Sequence, residues 1–464
     1  MIETIAGTGI QNKLEALRNF YNSGATKTYE FRKQQLINLK RSILNHEEEL
    51  YKCLYIDLKK NKEEVWVTET GFVIAEITHT LKNLKTWMQR RSVSTNLLNL
   101  PSSSFIMPEP LGVVLIIGPW NYPFQLLLSP LVGAIAAGNC AVLKSSEFAP
   151  ATSALMKKII EDVFSKDYIL YVEGEGAVVI PQMIKEFVFD HIFFTGSTAT
   201  GKIIYKMAAE NLTPVTLELG GKSPCIIESD ANLKVAAKRI AMTKFSNAGQ
   251  MCVAPDYILV HASVKDEFIK ILGSIVDKFF TQDAINNEEY GKIINEKQFD
   301  RLTKYLQEGN IIYGGKTDRE KLFIQPTILD NISVEDSVMN DEIFGPILPV
   351  LSFTKPEEAR TIIERNVHPL ALYVYTASKQ KQNYWLENIS FGGGCINNSS
   401  WHLTNYNLPF GGRGFSGTGK YHGKYSFETF SHYKAVMKTP TWFDPALRYP
   451  PLKGKLNIFK KIIR

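Results

Sequence analysis

The chain has 464 residues, of which 44% are hydrophobic and 22% charged, the balance of a globular protein with a large core in two or three domains. Its net charge of +6 comes from 53 basic and 47 acidic residues. That excess is too small at this length to indicate nucleic acid, and no basic stripe with interleaved aromatics is present. Five cysteines (Cys53, Cys140, Cys225, Cys252 and Cys395) form no C-x-x-C pair, which argues against a disulfide framework or a metal centre and for a reducing, cytoplasmic setting.

In chain order, the N-terminal MIETIAGTGI lacks a basic stretch ahead of an apolar one, so no secretory signal is expected. No apolar run reaches about 18 residues, so no membrane-spanning helix is expected either. Residues 10–92 carry Leu, Lys and Glu at helical spacing and predict three or four amphipathic helices. Residues 93–110 are polar, end in two prolines, and read as a hairpin-like excursion.

The period changes at residue 112. GVVLIIGP is a continuous apolar run between Gly and Pro, the pattern of a strand buried on both faces. Helical and strand segments then alternate through CAVLKSS, YILYVEG, HIFFTG and PVTLELGG. This indicates βαβ units on a parallel sheet, with ligands beyond the carboxyl ends of its strands. A second alternating series follows, with CIIESD, DYILVHA, GPILPVLSF and ALYVYTA as its clearest strands. The fold class is therefore α/β: two doubly wound domains, Rossmann-like for the first, with a small hairpin and a crossing near Leu219–Gly221. From 409 onward the chain is rich in Gly, aromatics and Lys.

Five segments carry chemistry. In GQMCVAPD, Cys252 follows a helical stretch in a turn where backbone N–H groups and exposure lower a thiol's pKa. In VTLELGGKSP, Glu218 ends an apolar strand at the ligand edge, where a carboxylate serves as a base. FFTGSTATG places Gly196 and Gly201 on a strand-to-helix turn of the kind that admits a pyrophosphate. In GPWNYPF, Asn121 offers an amide donor to an oxyanion. In EIFGP, Glu342 is an acceptor for ribose hydroxyls. Singly, each has a plainer reading: an inert buried thiol, a solvated carboxylate, a turn asparagine. A literal G-x-G-x-x-G at Gly412, Gly414 and Gly417 follows no clear strand and is set aside as a dinucleotide fingerprint.

Together the segments have an order and spacing, with Cys252 34 residues after Glu218, that resemble the aldehyde dehydrogenase superfamily along essentially the whole chain. PWN, KSSE (144–147), FTGST and PFGG fall in the family's order too. The ending LPFGGRGFSGTGKYHGKYSFETFSH with RYPP is similar to its class 3 branch, which acts on fatty and aromatic aldehydes. The resemblance implies that Cys252 attacks the aldehyde, that Asn121 and the Cys252 N–H hold the oxyanion, and that Glu218 activates water to release the acid. It leaves open whether Glu218 or Glu342 dominates as base. For the cofactor it implies Trp120, Lys144, Glu147, Thr195, Gly196, Ser197, Gly201, Leu219, Glu342 and Phe344. Tyr122, Met251, Trp401 and His402 are expected at the substrate pocket.

NAD is the expected cofactor, with NADP as second choice, because Glu147 should repel a 2′-phosphate. No metal is expected. The resemblance assigns 1–92 with 111–220 to cofactor binding, 221–408 to catalysis, 93–110 with 409–440 to oligomerisation and bridging, and 441–464 to a tail. A homodimer is expected. Membrane-surface contact through the basic tail is the lesser expectation beside packing on the protein or its partner. The alternatives are an acylating enzyme that passes the thioester to coenzyme A, and a non-catalytic ligand-binding relative. Departures from the family's pattern are Ser145 where Pro is usual, Met251 for Thr, and Arg413 for Val. The loss of Pro at 145 is expected to loosen the ribose contact.

Overall fold

The computed structural model describes residues 7–281 and 283–463; the first six residues, part of the segment examined for a secretory signal, lie outside it. The N-terminal third begins with helices Gly7–Asn22, Tyr29–Asn45 and Glu47–Leu58. Thr28 starts the second by accepting the Phe31 N–H at 3.2 Å. A wide turn, Trp66–Thr70, leads into the helix Gly71–Trp87. The apolar stripes of these helices join the main core through Leu14, Leu36, Leu39, Val73 and Ile77.

Five parallel strands form the first sheet. In spatial order they are Val215–Leu219, His191–Gly196, Val113–Ile117, Cys140–Lys144 and Ile169–Val172. The order reverses beside Val113–Ile117, so the crevice at its carboxyl end is the place for a ligand. All 13 residues of the next helix, Gln125–Ala137, are buried. Gly133 in it touches Ser426, whose Cβ would lie 2.6 Å from an added Cβ. An antiparallel strand, Gly417–Thr418, closes the sheet's far edge with Gly417 opposite Glu218. The rejected glycine triplet thus ends on a sheet edge.

The second sheet has seven strands. Thr327–Asp330, Ile347–Phe353, Tyr257–His261, Pro224–Ile227, Ala371–Tyr375 and Gly393–Ile396 are parallel, and Asn310–Tyr313 joins antiparallel at one edge. The two α/β units predicted from the alternating runs are present. Ser103–Pro110 pairs with Arg91–Val93 on one side and with Ser431–Lys438 on the other, so the excursion is a three-stranded antiparallel sheet. Of the tail, Leu456–Ile462 is helical, and Trp442, Leu452, Leu456 and Ile463 are exposed. Arg448 donates to the carbonyl of Leu98 at 3.0 Å. Among the described residues no helix is long and apolar enough to cross a membrane.

Candidate active site

The helix Leu233–Phe245 stops at a turn in which Asn247, Ala248 and Gly249 all have positive φ, at 49°, 50° and 72°. Two successive non-glycine residues in that region are strained, and side chains hold them there. The Asn247 N–H donates to Glu64 at 2.9 Å. The Asn247 amide donates to the carbonyls of Asn121 and Gln250, and the Gln250 amide to those of Asn247 and Lys292. Gly249 meets the Gly345 carbonyl, 2.2 Å from where a Cβ would stand. This turn delivers Met251 and Cys252 to the floor of a cavity of about 170 Å³.

The cavity wall is mostly apolar, with Phe72, Leu126, Tyr122, Met251, Trp401 and Tyr421 prominent, and it also includes Cys252, Glu218, Thr195 and Leu219. Glu218 is 4% exposed, and among the described residues neither carboxylate oxygen has a hydrogen-bond partner. Burial drives its pKa well above the usual carboxylate range. Thr195 sits beside it on the neighbouring strand, its hydroxyl also unpartnered. The sequence predicts an exposed thiol of lowered pKa at Cys252. The structure corrects this: Cys252 is half-buried, and burial first, then the charges of Glu342 and Glu218, push the thiol up, against a smaller pull from the Cys252 and Val253 N–H groups.

Asn121 lies behind this wall. Its side-chain amide donates to the Gln250 carbonyl at 3.0 Å, which leaves one N–H of the group for an oxyanion. Its own carbonyl accepts from Lys60 at 2.9 Å, and Lys60 pairs with Glu69 at 2.7 Å, both fully buried. The Lys60 ammonium also stands 3.7 Å from the centre of the Tyr122 ring. His402, expected at the pocket wall, is not among the residues that line it. Its Nδ1 lies 3.6 Å from the Cys395 thiol and its ring stacks on Phe410, so burial rather than substrate surrounds it.

Trp120 and Phe344 meet edge to face at 5.3 Å. Glu342 packs into the space that Gly220 leaves, where a Cβ would fall 1.8 Å from its carboxylate. Burial and the Asp256 charge raise its pKa to about 8, opposed by the Gly221 N–H, Lys222 and Arg301. At the far end of the sheet, Lys144 and Glu147 pair at 3.3 Å, and Glu147 accepts the Gly176 N–H at 3.1 Å. Burial opposes ionisation of Glu147, but these N–H groups and Lys144 outweigh it and lower its pKa. Ser197 caps the helix Thr198–Ala209 through the Thr200 N–H.

Gly196 and Gly201 leave space for neighbouring side chains: a Cβ on either would lie 2.5 Å from Phe194 or from Leu219. The Ser145 hydroxyl bonds Ser153 at 2.6 Å in a buried chain that reaches Tyr171. Sequence reasoning missed the Lys60–Glu69 pair and the roles of Gln250, Phe72 and Tyr421. Of these only Gln250, two residues before the nucleophile, carried a local signal.

The aldehyde dehydrogenase family model matches residues 10–436. A 4,4'-diaponeurosporen-aldehyde dehydrogenase of Staphylococcus aureus is 44% identical over 457 residues, covering 98% of this chain and 99% of the relative. The dimeric NADP-preferring aldehyde dehydrogenase of Canis lupus familiaris is 41% identical, covering 97% and 99%. The solved substrate-bound state of a Staphylococcus aureus AldH superposes with a TM-score of 0.96 at 44% identity, covering 98% and 99%. Further relatives from plants and mammals are named as family 3 members. The chain belongs to the aldehyde dehydrogenase family, on its class 3 branch, and its reaction is NAD(P)-dependent aldehyde oxidation. The cofactor suits the residues at the sheet edge. Glu147 is exposed with a lowered pKa, so its carboxylate can accept hydrogen bonds, and Ser197 begins a helix whose first N–H groups favour an anion.

Proposed function

We propose that the protein converts apolar aldehydes, medium or long aliphatic or aromatic, to carboxylic acids through a covalent intermediate on Cys252. The observation that carries this reading is the sharing of one apolar cavity by Cys252 and the unpartnered Glu218 carboxylate. The Cys252 thiolate adds to the carbonyl carbon, and the oxygen takes the negative charge. The Cys252 N–H and the remaining Asn121 amide hydrogen stabilise that oxyanion, at a typical ~3 kcal/mol for one donor. NAD(P) bound there would accept the hydride from this adduct and so leave a thioester on Cys252. Glu218 takes a proton from water, the hydroxide equivalent attacks the thioester, and the acid leaves with Cys252 free.

Trp120, Phe344 and Glu342 are the proposed contacts of the nicotinamide half, and Lys144, Glu147 and the Thr195–Ser197 turn those of the adenosine half. NAD is the proposed preference, supported by the ionised state of Glu147. A homodimer is proposed through the sheet built on Ser103–Pro110, supported by the exposed Leu97 and Leu98 beside it and the dimeric canine relative. The cytoplasm is the proposed location, supported by five free thiols. The test is NADH formation from NAD with aldehydes of increasing chain length. Turnover should favour apolar chains and vanish in Cys252→Ala; retention of activity in that variant overturns the proposal.

A further inference from the structure

The Glu342 segment is tied to the rest of the site by an ion pair that the mechanism above does not use. Lys222 and Asp256 are 4% and 3% exposed and meet at 2.6 Å. Lys222 also donates to the carbonyls of Val338 at 2.7 Å and Asp341 at 2.9 Å, which fills the three donors of its ammonium. The other Asp256 oxygen accepts the Ile343 N–H at 2.9 Å. The peptide groups on either side of Glu342 are therefore bonded to the two members of one ion pair. Arg301 adds a bond to the Ile343 carbonyl at 2.6 Å, and the next residue, Phe344, is held at a φ of 50°.

The two members come from the other two reacting segments. Lys222 follows Glu218 by four residues, and Asp256 follows Cys252 by four. A buried ion pair is close to neutral for stability when compared with apolar residues of similar volume. Stability alone therefore does not explain why this one straddles Glu342.

We infer that Lys222 and Asp256 are positioning residues that hold Glu342 in register with Cys252 and Glu218. The inference rests on the proposed role of Glu342 at the nicotinamide ribose. The Lys222→Met/Asp256→Asn variant removes both charges and leaves neither buried alone. Two readouts apply: the NADH dissociation constant from fluorescence, and hydrogen exchange of the Ile343 amide in the cofactor-free protein. The expected result is weaker NADH binding by about ten-fold or more, the scale of one hydrogen bond to a charged group, with a comparable gain in Ile343 exchange. Combining the variant with Glu342→Gln should add nothing further, because the two changes act on one unit.

Unchanged exchange at Ile343 overturns the lock itself. Additive losses of NADH affinity overturn its action through Glu342. If Glu342→Gln binds NADH normally, the ribose reading of Glu342 fails, and Ile343 exchange in the double variant then tells separately whether the lock exists. Should that variant fold poorly, Asp256→Glu keeps both charges and displaces the carboxylate by one methylene. It should weaken NADH binding in the same direction, and wild-type binding and exchange in this variant overturn the inference.

Discussion

Glu147 and Glu218 stand at the carboxyl edge of the same parallel sheet, one just past the strand Cys140–Lys144 and the other near the end of Val215–Leu219. Glu147 is exposed, bonded to Lys144 and to a backbone N–H, and ionises more readily than usual. Glu218 is buried without a partner and ionises far less readily. One sheet thus offers a wet, charged shelf suited to holding polar ligand groups and a dry pocket in which a carboxylate, once ionised, is a strong base. The difference is set by what surrounds each carboxyl, since the residue type is the same.

The sharpest way to break this contrast is to remove the base. Glu218→Gln should lower steady-state turnover by about 10²–10⁴ while leaving a pre-steady-state burst of NADH, because only release of the thioester needs the base. Loss of the burst as well would place Glu218 before hydride transfer. The next effect concerns Cys252. Its alkylation by iodoacetamide in the cofactor-free enzyme should keep rising with pH beyond the usual thiol range. Glu342→Gln and Glu218→Gln should each move that profile to lower pH, the former more, since its charge bears more strongly on the thiol. A profile that does not move would disconnect the carboxylates from the nucleophile.

A smaller effect is expected on the shelf. Glu147→Gln should raise kcat/KM with NADP relative to NAD by about five-fold, the scale of one screened charge. An unchanged ratio would remove Glu147 from cofactor choice. The smallest effect is on stability. The native state keeps a proton on Glu342 that the unfolded chain has released above the ordinary carboxylate range, so its contribution to stability falls as pH rises through about 8. Thermal unfolding midpoints should decline over that interval by on the order of a few degrees at most, and Glu342→Gln should flatten the decline.

Much of this could be read from residue order. The apolar runs from GVVLIIGP to PVTLELGG became the parallel sheet because burial on both faces leaves no other composition. Thr327–Asp330 and Gly393–Ile396 escaped notice; each is four residues long, and the second is half glycine. Cys252 and Glu218 were legible from a turn and from the end of an apolar strand, whereas Trp120 and Phe344 were expected only through the resemblance to the family. The orientation of Asn121 toward Gln250, the stacking of His402 on Phe410, and the Lys60–Glu69 support depend on contacts between segments far apart in the chain. No local pattern encodes such contacts, and the rise in the Cys252 pKa follows from the same enclosure.

The pairing of Gly417 opposite Glu218, and of Ser431–Lys438 along Ser103–Pro110, has a consequence for biosynthesis. A ribosome-bound chain that has emerged only to residue 410 already holds the nucleophile, the base and the cofactor shelf, yet the strand beside the base is still an open edge. That edge is a template for unwanted pairing until the last tenth of the chain emerges to cover it.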